Sequence, residues 1–250
     1  RYGGRHIIFS LGRLVPYKGY RYLIEAARYL GEDYVVLIGG TDPLRDELQE
    51  RIRHWGVTDR VKLLGRVSGV VADAQGNEWI YGEKGLFRFS ASSPMQQPEQ
   101  IPLPPSAGSG QSGAGANGQH FLTALLDGDY LYLGNACGQV WRYDGRDLKP
   151  LQLAGADSPV ICLGPLSDGR LLAVTARHGL FLCPTVENGQ QAAALPQAQA
   201  IPLPQAQAAA EVYDAYVDAA DEVWLDQHIP GQLLHYSTAR GTWRTEQMEV

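Results

Sequence analysis

Residues 6–68 read HIIFSLGRLVPYKGYRYLIEAARYLGEDYVVLIGGTDPLRDELQERIRHWGVTDRVKLLGRVS, and the spacing of apolar residues in this stretch decides the fold. Three short apolar runs that end at glycine predict buried strands, and two stretches with helical spacing lie between them. The runs are 6–11, 34–38 and 61–64, and the helical stretches are 19–30 and 43–55. Strands that alternate with helices over short loops indicate a parallel, doubly wound sheet. We therefore expect an α/β fold, a half-Rossmann unit of the order β-α-β-α-β, over residues 1–67.

The loop after the first predicted strand carries two cations. Gly12 and Arg13 follow the strand, and Lys18 lies five positions after Arg13, directly before the predicted helix. Ligands of doubly wound sheets bind beyond the carboxyl ends of the strands. A glycine loop, two cations and a positive helix terminus would together attract a diphosphate. An arginine and a lysine near a loop are also common as plain solvated side chains, so the spacing alone leaves both interpretations open.

The stretch from Ile7 to Ser68 resembles the start of the donor-binding domain of family-four retaining glycosyltransferases of the GT-B fold. In that family the Arg and Lys of a GR…K segment bind the diphosphate of the donor. The resemblance therefore implies that Gly12, Arg13 and Lys18 bind a nucleotide diphosphate or a nucleotide sugar. It also implies a set of donor-proximal residues in the next two loops, the last three of which would border the nucleobase. They are Gly39, Gly40, Gly65, Arg66 and Val67.

Two features of a working transferase of this family are not found in residues 1–250. The family's E-x7-E motif, which grips the sugar and the ribose, has no counterpart, because no two glutamates lie eight positions apart. The acceptor-binding domain that normally precedes this segment is also absent. Sugar transfer needs donor and acceptor held in attack geometry. We therefore expect no catalytic residues and no complete transferase activity from this chain on its own.

After residue 68 the helical spacing gives way to four related units of short aromatic strands. Each unit has an acidic turn, a strand, a loop with glycine, and a second strand with aromatic or other apolar residues. The units lie at 73–89, 126–143, 167–183 and 221–236. Repeats of roughly 40 to 50 residues with a few strands each are typical of propeller blades. We expect an all-β, four-unit β-propeller-like region over residues 68–250.

The first of these units resembles the repeats of two-component-regulator-type propellers, which are sensing modules in periplasmic parts of hybrid sensor kinases. This resemblance implies a protein or glycan partner at the propeller. Three tryptophans recur within the units and are interpreted as blade core rather than as platforms for stacking sugars. They are Trp79, Trp141 and Trp224. Two inserts interrupt the units: 106–118 is rich in glycine and expected to be flexible, and 190–210 is expected to be an extended loop or a marginal helix.

The charge changes at the same place as the spacing. Residues 1–67 hold 12 basic and 8 acidic side chains, whereas 68–250 hold 9 and 19, so the net charges are +4 and −10. The overall charge of −6 gives no reason to expect nucleic acid as a partner. The sequence contains no run of 18 apolar residues, so it predicts no membrane span. The histidines lack the spacing of metal ligands, and solvated turns explain the acidic cluster at 214–226. The three cysteines fit buried apolar positions. We therefore expect no metal and no cofactor.

These observations leave three hypotheses of different classes. The chain is a glycosyltransferase-related protein with a truncated donor-binding unit fused to a propeller, or a non-catalytic propeller that senses or binds a partner. As a third hypothesis, it is an engineered chimaera without evolved activity. The two resemblances imply different compartments, the cytoplasm for the transferase part and the periplasm for the propeller part.

Overall fold

The computed structural model describes residues 6–41, 43–91, 98–102, 120–151, 153–184 and 197–248. Within these ranges the protein is mostly β-sheet, with two α-helices and two short 3-10 helices. The chain divides into two compact units, Arg1–Pro102 and Leu103–Val250. The glycine-rich insert at 106–118 and the first part of the insert at 190–210 lie outside the described residues.

The first unit begins with alternating strands and helices. The elements are β1 (His6–Leu11), α1 (Tyr20–Ala26), β2 (Tyr34–Gly39), α2 (Arg45–His54) and β3 (Val61–Gly65). The three strands form one parallel sheet in the order β1-β2-β3. The predicted alternation is therefore present, although α2 begins two residues later than expected, because Pro43 and Leu44 form a turn.

Both helices pack on the same face of this sheet. Ile24 of α1 and Leu48 and Ile52 of α2 are at most 1% exposed and share a core with Val36 and Ile38 of β2. These helical residues follow the three- and four-residue spacing that places side chains on one side of a helix. The apolar spacing read from the sequence therefore predicts the helix-covered face of the sheet.

The other face of the parallel sheet is covered by an antiparallel sheet of four strands. These strands are β4 (Val67–Ala72), β5 (Glu78–Gly82), β6 (Gly85–Phe89) and β7 (Glu99–Gln100), in that order across the sheet. Val35, Leu37 and Leu64 from the parallel sheet share a buried cluster with Ile80 of β5, and Phe87 packs against it. The first predicted propeller unit thus supplies apolar side chains where a doubly wound fold has helices.

Strand β1 lies at an edge of the parallel sheet and is not fully buried. Phe9 is 42% exposed and Leu11 is 58% exposed, although the sequence predicts a buried strand. The correction follows from strand order. Because β1 pairs only with β2, Phe9 and Leu11 have no strand on their other side, whereas Ile7 and Ile8 still pack against the buried clusters on the two faces of the sheet.

The second unit contains three further antiparallel sheets of four strands each. The first of them consists of β8 (Phe121–Asp127), β9 (Tyr130–Asn135), β10 (Val140–Tyr143) and β11 (Leu148–Leu151). The second consists of β12 (Val160–Pro165), β13 (Leu171–Thr175), β14 (Gly179–Cys183) and β15 (Gln199–Ile201). The third consists of β16 (Asp214–Val217), β17 (Glu222–Asp226), β18 (Gln232–Ser237) and β19 (Thr242–Gln247). In each of the four antiparallel sheets that the described residues form, the predicted repeat unit forms the central hairpin.

Neighbouring sheets of the second unit pack face to face. Val140 and Phe181 belong to a buried cluster shared by the sheets β8–β11 and β12–β15. Leu180 and Val223 belong to another cluster, shared by the sheets β12–β15 and β16–β19. Each face of the middle sheet therefore contacts a different neighbour, as in stacked propeller blades.

The change of sheet type and the division into compact units occur at different residues. The parallel sheet ends at Gly65 and the antiparallel sheet begins at Val67, so no strand is shared between them. The compact units divide after Pro102, because the first antiparallel sheet packs with the parallel sheet.

Candidate functional site

Backbone contacts join the loops at the carboxyl ends of the three parallel strands. The Gly12 N–H donates to the Gly39 carbonyl (3.0 Å), and the Gly40 N–H donates to the Gly65 carbonyl (2.7 Å). A Cβ placed on Gly40 would lie 1.9 Å from the Gly12 carbonyl oxygen. Since that distance is far below van der Waals contact, the first two loops approach each other in a way that a side chain on Gly40 would prevent.

Arg13 and Lys18 are exposed beside these glycines. Leu14 is fully buried, and its N–H donates to the Thr41 carbonyl (3.0 Å), so the loop that carries Arg13 is anchored to the loop after β2. Lys18 ends a short 3-10 turn, and its Cε lies 3.8 Å from the position of a Cβ on Gly12. Among the residues that the structure describes, no salt bridge involves the Arg13 side chain, which is exposed.

The third loop, 65–67, is held by the first antiparallel sheet. The Arg66 N–H donates to Glu83 Oε2 (3.0 Å), and the Glu83 N–H donates to the Arg66 carbonyl (2.8 Å). The Arg66 side chain is exposed, whereas Val67 begins β4, and its Cγ2 would lie 2.9 Å from a Cβ on Gly39. The structure therefore gathers the glycines at one edge of the sheet, while the Val67 side chain packs between the two sheets.

Two charged residues near this edge were missed by the sequence reasoning. Glu83 places its carboxylate beside Gly65, at 3.1 Å from the position of a Cβ there. Lys84 donates from Nζ to the Leu63 carbonyl (2.7 Å), and partial burial lowers the pKa of its ammonium. No local pattern could have revealed them, because both belong to a hairpin turn of the next sheet.

Aspartates in the turns of the antiparallel sheets have structural partners. Asp73 accepts hydrogen bonds from the N–H groups of Gln75 (3.1 Å) and Asn77 (2.8 Å) and from the indole N–H of Trp79 (3.1 Å). Burial by itself would raise the pKa of Asp73, but these hydrogen bonds outweigh it and lower the pKa. This carboxylate stabilises its own turn and is not free to bind a ligand.

Asp218 repeats the same arrangement in the last sheet. It accepts from the N–H groups of Glu222 (3.0 Å) and Ala220 (2.9 Å) and from the Trp224 indole (3.3 Å). The backbone hydrogen bond from Glu222 is the main cause of the lowered pKa of Asp218. Asp218 therefore belongs to a turn, as the sequence predicts for the acidic cluster. The sequence did not predict that this aspartate also accepts a hydrogen bond from the tryptophan indole.

A buried histidine lies in the last sheet without the geometry of a catalytic triad. His235 is 2% exposed, stacks on Trp224 at 4.2 Å between ring centroids, and has Nε2 at 2.7 Å from Glu222 Oε2. The Ser237 hydroxyl donates to Glu222 Oε1 (2.9 Å) and not to the histidine. Since a serine nucleophile needs a hydrogen bond to its base, this group does not support nucleophilic catalysis.

The cysteines and the acidic groups give no sign of redox or metal chemistry within the described residues. All three cysteines are free thiols, and burial raises the pKa of Cys183 to about 12 and that of Cys162 to about 11. In the described ranges no group of three or more His, Cys, Asp or Glu side chains could hold a metal ion. No helix there is both long enough and apolar enough to cross a membrane.

The N-terminal part of the chain is similar in sequence to a known family. Residues 1–77 match the family of glycosyl transferases group 1. Over 73 residues the chain is 40% identical to alpha-D-kanosaminyltransferase of Streptomyces kanamyceticus, a match that covers 27% of this chain and 19% of that protein. The chain therefore spans about a fifth of this relative.

Solved structures similar to the chain include a β-propeller domain and streptogramin lyases. Virginiamycin B lyase from Staphylococcus aureus matches with a TM-score of 0.55 and 10% identity, over 74% of this chain and 56% of that one. The Cps50 (Swd1) beta-propeller domain of Myceliophteria thermophila matches with a TM-score of 0.56 and 14% identity, over 74% and 62%. At these identities the likeness shows a β-propeller type of fold and nothing about activity. The chain spans about three-fifths of these structures, and it combines a glycosyltransferase-like segment with propeller-like sheets.

Proposed function

We propose that residues 1–67 are a half-Rossmann remnant of a donor-binding domain that binds the diphosphate of a nucleotide or nucleotide sugar. The observation that carries this proposal is the convergence of Gly12, Gly40 and Gly65 at one sheet edge, beside the exposed cations Arg13 and Lys18. The family match over residues 1–77 supports a nucleotide sugar as the general class of ligand.

In this proposal each group has a separate task. The planar guanidinium of Arg13 pairs with phosphate oxygens in bidentate fashion, and Lys18 adds a compact positive charge. Gly39 and Gly40 carry no side chains, which lets Val67 and the Gly12 carbonyl approach them closely and fixes the second loop beside the first. The Glu83 carboxylate beside Gly65 would repel a phosphate there. The loop 65–67 is therefore left to the uncharged nucleobase.

Binding without sugar transfer is the expected outcome for this chain alone. The sequence has no E-x7-E pair to hold the sugar and ribose. Because rate enhancement by transferases depends on a donor and an acceptor fixed in reacting geometry, phosphate affinity by itself does not produce turnover.

Calorimetric titration of the whole chain with UDP, GDP and ADP tests the proposal. Replacing Arg13 by alanine removes a charge-assisted hydrogen bond worth about 1.5–3 kcal/mol, so affinity for the bound nucleotide is expected to fall by about 10- to 100-fold. Arg53→Ala is the matched control, since Arg53 is an exposed arginine of α2 that pairs with Glu50. The proposal is wrong if no nucleotide binds, or if Arg13→Ala and Arg53→Ala bind equally.

A second candidate function is a non-catalytic binding module in the propeller-like sheets. Its support is an exposed aromatic platform in the second unit, where Tyr213 stacks on His228 with ring centroids 4.0 Å apart and an angle of 6°. Tyr213 is 55% exposed and Tyr216 is 65% exposed. Exposed aromatic faces of this kind are a common way to contact a glycan or a protein.

A glycan array probed with the whole chain tests this candidate. Tyr213→Ala is expected to abolish any retained glycan signal, while Tyr29→Ala, which removes an exposed tyrosine of the first unit (78% exposed), leaves it unchanged. An engineered chimaera without evolved activity predicts that the array and the nucleotide titration are both negative.

A further inference from the structure

A cavity of about 440 Å³ lies along the side of β3 within the first unit. It is a half-open cavity bordered by α2, the loop before β3, β3 itself, and strands β6 and β7 of the first antiparallel sheet. None of the residues predicted to bind the donor lines it. Its volume is in the range of roughly 300–1,000 Å³ that is typical of small-molecule sites.

The charged lining of this cavity has a single sign. Lys62 and Lys84 line it, and no aspartate or glutamate does so among the described residues. Lys62 donates from Nζ to the Thr58 carbonyl (2.9 Å), and Lys84 donates to the Leu63 carbonyl (2.7 Å). Because an ammonium has three N–H donors, each lysine is held in place by one backbone oxygen and keeps donors for a ligand.

The rest of the lining combines apolar side chains with two amides. Ile52 of α2, Phe87 of β6 and Pro98 supply apolar surface, and Gln49 and Gln100 add polar groups. The Gln100 amide donates to the Lys84 carbonyl (3.0 Å), which fixes its position near that lysine. Fixed cations beside apolar walls are suited to a ligand with one charged end and a compact hydrocarbon body.

We infer that this cavity binds a small organic anion, a carboxylate with an apolar body, whose charged end contacts Lys62 and Lys84. Nothing in this inference depends on nucleotide binding at the carboxyl ends of the strands. The partial burial of Lys84 makes an anionic partner favourable, since it offsets the loss of water around the ammonium.

Calorimetric titration of the whole chain with octanoate tests the inference. Octanoate is expected to bind, whereas 1-octanol lacks the charge and acetate lacks the apolar body, so both should bind at least about 10-fold more weakly. Lys62→Met and Lys84→Met should each weaken octanoate binding by about 10-fold. Lys149→Met is the matched control, because Lys149 is an exposed lysine of the second unit.

The outcomes separate this site from the diphosphate site. Arg13→Ala should leave octanoate binding unchanged. If Lys84→Met does not fold, Lys62→Met gives the same test, and Gln49→Trp, which fills the cavity from α2, should abolish binding. Equal affinities of octanoate for the wild type and for folded Lys62→Met, or equal binding of octanoate and 1-octanol, would overturn the inference.

Discussion

The parallel sheet and the antiparallel sheets of this protein obtain their cores in different ways. Each antiparallel sheet is a meander of four strands that are neighbours in sequence, so its pairing is completed locally. The parallel sheet has its own helices on one face only, and its other face is covered by β4–β7. The strand pairing of a local repeat is therefore complete within its own stretch of sequence, although its core is shared with the neighbouring sheets. Part of a doubly wound sheet, by contrast, needs another segment of chain to cover its second face.

The largest expected effect comes from breaking the contact between these two kinds of sheet. Ile80 lies in β5 but packs with Leu37 and Val35 of the parallel sheet. Ile80→Ala should reduce the free energy of unfolding by about 2–5 kcal/mol, because it removes buried methyl groups and leaves a cavity. Urea unfolding followed by the helical ellipticity at 222 nm measures the effect on the parallel part directly.

Val70→Ala is the control for this prediction. Val70 pairs with Ile80 across β4 and β5 but is 46% exposed, so its truncation should change stability little. If Ile80→Ala leaves the helical transition where it is in the wild type, the two sheets do not share a core.

A smaller effect is expected where the loops of the parallel strands meet. Gly40→Ala should reduce stability by about 3 kcal/mol, because its Cβ would collide with the Gly12 carbonyl. Gly56→Ala is the matched change, since Gly56 has a φ of +62° and open space around it, and it should lose only about 1 kcal/mol. Equal unfolding midpoints for the two variants would show that the loops are not in contact.

The smallest effects concern the turn aspartates of the antiparallel sheets. Asp73→Asn should reduce stability at pH 7 by about 1 kcal/mol, and Asp218→Asn should reduce it less, since each weakens hydrogen bonds to backbone and indole N–H groups. The folded-state pKa of both carboxyls is lowered. Their stabilisation is therefore present above the unfolded value of 3.8 and is lost as the pH falls through the folded value.

Urea unfolding of wild type and variants at pH 7 and pH 3 measures this dependence. The difference in stability between wild type and Asp73→Asn should shrink at the lower pH. A difference that stays constant or grows on acidification would contradict the role given to the carboxylate.

The sequence predicts the strands and helices of both regions well, and it predicts the burial and the contacts of their side chains less well. Apolar spacing and glycine positions are local, so they indicate β2, both helices and the four central hairpins. The exposure of Phe9 and Leu11 depends on strand order, which spacing does not reveal. For the candidate site, Gly12 and Gly40 follow from loop positions. Glu83 does not, because it reaches Gly65 from another sheet.

Thermal unfolding of two fragments, 1–67 and 1–102, tests the central claim most directly. The parallel sheet is proposed to need the first antiparallel sheet as cover for Leu37 and Leu64. Circular dichroism at 222 nm should therefore show a cooperative transition for fragment 1–102 and none for fragment 1–67. A cooperative transition for 1–67 with the same midpoint as 1–102 would contradict the account.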